Sequence, residues 1–119
     1  MKYIRTKHNI YEIEGDYIDV TNRHYYVVAG GYREFEEKEI DKQADNIEDL
    51  CDEFVLVVPW LPGNPSLLGK PNHRISKKGL ATSIKRAVKG HYSLYGAIWT
   101  AKGLKFVAKI YYKGEWGLL

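Results

Sequence analysis

Few side chains in this sequence stand at spacings that do chemistry. Cys51, in "NIEDLCDEF", is the only thiol. A thiol attacks only as its thiolate, and the carboxylates of Asp49, Asp52 and Glu53 disfavour that anion. Cys51 also falls on an apolar helical face, which reads as a buried structural cysteine. The histidines are His8, His24, His73 and His91, and none has zinc spacing with another or with Cys51. A metal site would have to be assembled by the fold. Between Glu34 and Glu53 stand ten carboxylates, interrupted by Lys38 and Lys42. Such a run can bind a divalent cation or imitate a nucleic-acid backbone. No spacing in it matches an EF-hand loop, however, and a solvated face is the better account. Gly30-Gly31 is followed by no Lys-Ser/Thr pair and opens no helix, so no phosphate-cradling loop is present. No nucleophile elbow and no Ser-His-Asp order occurs. The expectation is a non-enzymatic protein with no catalytic residue, metal or cofactor. A small hydrolase or nuclease without a recognisable motif is the weakest of the readings.

The chemistry that the sequence favours is electrostatic. "KPNHRISKKGLATSIKRAVKGHYS", Lys70 to Ser93, carries seven Lys/Arg side chains and no carboxylate. The formal net charge of +3 hides a segregation. Residues 1–53 hold fourteen Asp/Glu and seven Lys/Arg, a net −7; residues 54–119 hold one and eleven, a net +10. Such asymmetry points to an anionic partner for the basic half. The competing account is that the two halves neutralise each other in the fold, or that the lysines form only a solvated helix face.

Two groups of residues are candidates for nucleic acid. One is Lys70, His73, Arg74, Lys77, Lys78, Lys85, Arg86 and Lys89. The other is a strand face with Lys105, Lys109 and Tyr111, flanked by Lys102 and Lys113. Ammonium groups meet phosphates, and tyrosines offer stacking platforms to unpaired bases. Only Arg74 and Arg86 among the first group have the fork suited to bidentate base reading. Binding there would be backbone-directed and salt-sensitive. Trp60 and Leu61, in "PWLPGNP", are candidates for docking on a protein.

The elements that would carry these residues can be read in outline. "YIRT" and "NIYEIE" are short β-rich runs. Glu14-Gly15-Asp16 has turn chemistry, "YIDV" follows, Thr21-Asn22-Arg23 turns again, and "HYYVVA" runs to the break at Gly30-Gly31. "YREFEEKEI" shows no helical stripe and is expected to be extended. "ADNIEDLCDEF" predicts a helix of about two turns. Asp45 and Glu48 form a capping-box-like pair, and Ile47, Leu50, Cys51 and Phe54 lie at i, i+3, i+4 and i+7. "FVLVV" reads as a buried strand, and three prolines make "PWLPGNP" a loop. Leu80, Ile84, Ala87 and Val88 predict a basic amphipathic helix over 77–89, stopped by Gly90, with Lys78, Lys85, Arg86 and Lys89 on its polar side. "LYGAIWT" and "LKFVAKIYY" flank a turn with Gly103 left-handed, and Lys113-Gly114 repeats the device. Strict alternation puts Leu104, Phe106, Ala108, Ile110 and Tyr112 on one face, and Lys105, Val107, Lys109 and Tyr111 on the other. The predicted architecture is α+β: an antiparallel sheet of about six or seven strands, in an N-terminal and a C-terminal meander, packed with two short helices.

The 119 residues suit one domain spanning 1–119, large enough for one core. Ten tyrosines favour strands. One cysteine permits no internal disulfide, consistent with a reducing compartment. "MKYIRTKHNIYEIEGD" has no signal-peptide core, and no run approaches the length of a membrane span. A cytoplasmic protein without membrane contact is expected.

Three stretches, "MKYIRTK…IYEI", "KQADNIEDLCDEFVLV" and "YGAIWTAKGLKFVAKI…KGEWGLL", together resemble a family of small proteins encoded in phages and prophages of Firmicutes. They cover about half of the chain. The resemblance implies a phage accessory gene expressed in a bacterial cytoplasm. It implies no activity, cofactor or site residue. Residues 59–91, with the basic helix, depart from the family. The expectation is a non-enzymatic accessory protein that docks on a host or phage macromolecule, such as host machinery or a defence component. The alternative is direct binding of nucleic acid through the basic segment and the Lys/Tyr strand face.

Overall fold

A computed structural model describes residues 2–57, 74–90 and 92–119. The chain falls into two compact units, residues 1–50 and 51–119. Among the described residues there are two five-stranded antiparallel sheets, short 3-10 turns and one α-helix. The α+β class is as expected; the strands are more numerous, and among the described residues the α-helix has no second.

The first unit holds β1 (Tyr3–Arg5), β2 (Ile10–Ile18), β3 (His24–Val28), β4 (Glu34–Glu36) and β5 (Lys42–Ala44), in the order β4-β3-β2-β1-β5. Ile4, Tyr26 and Phe35 form its core, with Tyr11, Ile13, Val28 and Ile40 packed against them. The expected turn at Glu14-Gly15-Asp16 is not one. β2 runs straight through it, with a register shift between Ile13, opposite Val28, and Gly15, opposite Val27. Glu14 is thus the extra residue of a bulge, and glycine in a strand is as much a bulge signal as a turn signal.

The chain reverses instead at residues 19–23. There the Asp19 carboxylate accepts hydrogen bonds from the Thr21 amide (2.8 Å), the Thr21 hydroxyl (2.7 Å) and the Arg23 amide (2.9 Å), and Asn22 takes φ 64°. The Thr21 hydroxyl and then the Arg23 amide hold the Asp19 carboxyl below its ordinary range. A depressed folded pKa means support that is present above the unfolded value and lost as pH falls through the folded one. By NMR, the Thr21 and Arg23 amide signals are expected to hold steady from neutral pH down to the ordinary Asp value of 3.8 and to move together below it. In Asp19→Ala that joint movement should vanish. If the wild-type signals do not move, the carboxylate does not order this turn.

The predicted helix over 45–54 is corrected most. Only Ile47–Leu50 turns, as a 3-10 helix, with Ile47 and Leu50 buried. The i, i+3 pair satisfies a three-residue period as well as a helical one. Carboxylates at 52 and 53 would oppose the dipole of a longer helix. Both are used otherwise: the Trp99 amide donates to Asp52 (2.8 Å) and its indole N–H to Glu53 (3.3 Å).

The second unit holds β6 (Glu53–Val57), β7 (Arg74–Ile75), β8 (Ser93–Thr100), β9 (Gly103–Ile110) and β10 (Trp116–Leu118), in the order β10-β9-β8-β6-β7. β6 is the expected apolar run. The helix α1 (Leu80–Gly90) follows a 3-10 turn over Lys77–Gly79, whose first turn is capped by the Gly79 amide donating to Ser76 Oγ (3.3 Å). Leu80 and Ala87 of α1 pack with Phe54, Leu94 and Ile110 of the sheet. The β8–β9 turn has Gly103 at φ 116°, as its sequence predicts. No helix among the described residues is long and apolar enough to cross a membrane.

Candidate nucleic-acid interface

α1 sorts its side chains by the helical period. Leu80 and Ala87 are buried, while Ala81, Thr82, Lys85, Arg86 and Lys89 are exposed. Lys85 and Lys89 are one turn apart, and Arg86 stands beside Lys85, so three cations share the solvent side. Lys77 and Lys78 are exposed on the turn before the helix. Among the described residues, Lys78, Lys85, Arg86 and Lys89 form no ion pair, whereas Arg23–Glu36, His24–Asp16 and Lys38–Glu36 do. Residues 51–119 hold eleven Lys/Arg and three Asp/Glu, and residues 1–50 hold seven and twelve. Arg74 opens β7, opposite Val55. Lys70, His73, Trp60 and Leu61 lie outside the described residues.

The strand face is only partly as expected. Gly96 pairs with Ala108 and Ala97 with Phe106, so Val107 is an extra residue in β9. The phase of the strand shifts there. Lys109 stands opposite Tyr95 and Lys105 opposite Ile98, three residues apart on β8 and therefore on opposite faces. Lys105 and Lys109 do not share a face, contrary to strict alternation. Lys109 and Tyr111 do come together: the Lys109 ammonium lies 6.0 Å from the Tyr111 ring and 5.9 Å from the Tyr95 ring. Tyr95 in turn stacks on Phe106 at 5.1 Å.

Beside this group a pocket of about 300 Å³ opens at the end of the sheet, between α1 and the end of β9. Ala87, Tyr92, Lys109, Ile110, Tyr111 and Tyr112 contribute to its lining. Tyr92, Tyr95 and Tyr112 were not legible as site residues, because the segment of Tyr92 and Tyr95 is distant in sequence from the end of β9. The tyrosine excess was the one available signal, and it has no address. The turn after Tyr111 is tight, with Lys113 at φ 61° and Gly114 at φ 80°, and the Lys113 ammonium lies 5.4 Å from the Tyr112 ring.

In the first unit a second pocket, of about 250 Å³, is lined by cationic Lys7, Arg33 and Lys38 together with Glu39 and Asp41. Its charges are mixed, and Arg33 is already engaged with the Tyr11 hydroxyl (3.2 Å) and the Phe35 ring (4.7 Å). Among the described residues no group of three or more His, Cys, Asp or Glu could hold a metal ion. Cys51 is half-buried, with its sulfur over the backbone of Gly96. Comparison with protein-family models, with curated proteins and with solved structures finds no match.

Proposed function

We propose that this chain is a non-enzymatic accessory protein of phage or prophage origin that acts in a bacterial cytoplasm by binding a macromolecule, and that nucleic acid is the ligand its geometry suits best. One observation carries the reading: Lys85, Arg86 and Lys89 share the solvent side of α1, with Lys78 exposed just before it, and none is in an ion pair among the described residues. Unpaired cations on a rigid element release counterions from a phosphate backbone, which gives affinity without base reading. The test is fluorescence anisotropy with short DNA and RNA, single-stranded and duplex, across salt concentrations. The expected result is binding that weakens steeply with salt. In the variant with Lys78, Lys85, Arg86 and Lys89 changed to Gln, the log–log salt slope on duplex DNA should be shallower by up to about 3.6, at about 0.9 per phosphate contact. No binding by the wild-type chain at low salt overturns the proposal.

A specific observation favours docking on a host or phage protein as the second reading. The β2–β3 hairpin exposes Ile18 (64 %) and Val20 (104 %), beside the stacked rings of Tyr17 and Tyr25 at 5.3 Å. Exposed aliphatic residues beside aromatic rings suit an interface better than solvent. If Ile18→Asp with Val20→Asp abolishes capture of a host or phage protein while the four-cation variant leaves it intact, protein docking replaces the first reading.

A further inference from the structure

We propose that the tyrosine pocket of the second unit holds one unpaired base of a single strand, so that the protein selects single-stranded nucleic acid over duplex. This rests on the nucleic-acid reading above and names the form of the ligand. The pocket has an apolar wall, Ala87 and Ile110, both at least nine-tenths buried. Its other sides include the rings of Tyr92, Tyr111 and Tyr112. Tyr112 is 76 % exposed and Tyr111 is 49 % exposed, although both carry large apolar rings. Among the described residues no carboxylate lines the pocket, while Lys109 does. Rings and ammonium groups alternate here: the Lys109 ammonium lies near the Tyr95 and Tyr111 rings, and the Lys113 ammonium near the Tyr112 ring. That alternation matches a strand, whose bases stack on rings while its phosphates meet cations.

Size narrows the ligand further. About 300 Å³ is at the floor of the range for small-molecule clefts. It has room for a ring system such as a base. A base inside a duplex cannot reach such a pocket without leaving its stack, which costs a few kcal/mol, whereas an unpaired base enters freely. The Tyr111 ring is also held in place. A Cβ built on Gly117 would lie 2.5 Å from Tyr111 Cε2, so the ring rests over the bare backbone of β10. The lack of a side chain at 117 is what lets the ring lie there.

The full-length chain is titrated with a single-stranded DNA and a single-stranded RNA of about a dozen nucleotides, each carrying a 2-aminopurine, and with the matching duplexes. The expected result is at least tenfold tighter binding of single strands, with the 2-aminopurine emission quenched on binding. Tyr111→Leu combined with Tyr112→Leu should lose roughly tenfold or more on single strands and leave duplex affinity unchanged. Gly117→Ala, which displaces one ring and changes no charge, should give a smaller loss of the same kind. Tyr111 and Tyr112 are at the surface, so the tryptophan emission of their double variant should match the wild type and exclude misfolding. Equal affinity for the two forms, or tyrosine variants that bind like the wild type, overturns the pocket assignment and leaves the basic helix standing. Absence of binding to every nucleic acid at low salt overturns both.

Discussion

Truncating Phe54 to alanine is expected to destabilise the second unit by about 3–5 kcal/mol, the largest effect foreseen for any single substitution here. Phe54 is 2 % exposed and belongs to the core with Leu80, Ala87, Leu94 and Ile110. Its ring meets that of Trp116 at 6.0 Å between centroids, tilted by 51°, an edge-biased arrangement that adds to the area it buries. β6 is an interior strand of its sheet, paired with β8 on one side and β7 on the other, so the backbone around residue 54 cannot collapse into the vacated space without breaking pairs on both sides. The cavity term should therefore be close to its full value. All three tryptophans, Trp60, Trp99 and Trp116, lie within residues 51–119, so urea unfolding followed by tryptophan emission reports on this unit. The midpoint should fall sharply. A change of under about 1 kcal/mol would mean that Phe54 is not a core residue.

Phe54 also shows what the sequence could and could not convey. Its burial was legible either way, as the i+7 residue of an apolar helical stripe or as the first residue of the run "FVLVV". The two readings overlap, and local periodicity does not decide between them. What decides is pairing with β8, a partner some forty residues distant, through Phe54 opposite Gly96 and Leu56 opposite Leu94. The same non-local cause explains the other departures. β5, Lys42-Gln43-Ala44, has no apolar alternation and is a strand only because β1 offers it an edge. The bulges at Glu14 and Val107 leave composition unchanged and alter only the phase of the partner. The elements set by neighbours in sequence were legible: α1 from its i+4 spacing, and the β8–β9 turn from Gly103. For the candidate site, this means that the cations of α1 could be read one by one. The tyrosine pocket could not, since Tyr92, Lys109 and Tyr112 meet only when strand and helix are in place.

A second large effect is expected where β8 passes Cys51. A Cβ built on Gly96 would lie 2.5 Å from Cys51 Sγ and 3.6 Å from Trp116 Cζ3. The first distance is shorter than van der Waals contact allows, so Gly96→Ala forces the thiol or the strand to move. Gly96 is paired on both sides, with Phe54 and with Ala108, which leaves the strand little freedom. Overpacking of this kind costs about 1–3 kcal/mol. The clash is almost wholly with the sulfur, because Cys51 Cβ would be 3.6 Å away, an ordinary contact. Removing the sulfur should thus remove the penalty. Cys51→Ala alone is expected to be mildly destabilising, since it deletes a packed atom, and Cys51→Ala combined with Gly96→Ala should be more stable than Gly96→Ala alone. The two substitutions are then strongly non-additive, with a coupling of about 1–2 kcal/mol read from a double-mutant cycle in urea. Additive effects would mean that the sulfur does not lie over Gly96. Strong coupling would show why a cysteine and a glycine stand at these two positions: they fill one space between them. That role is packing, with the thiol pressed against a strand backbone, and it needs no reactivity of Cys51.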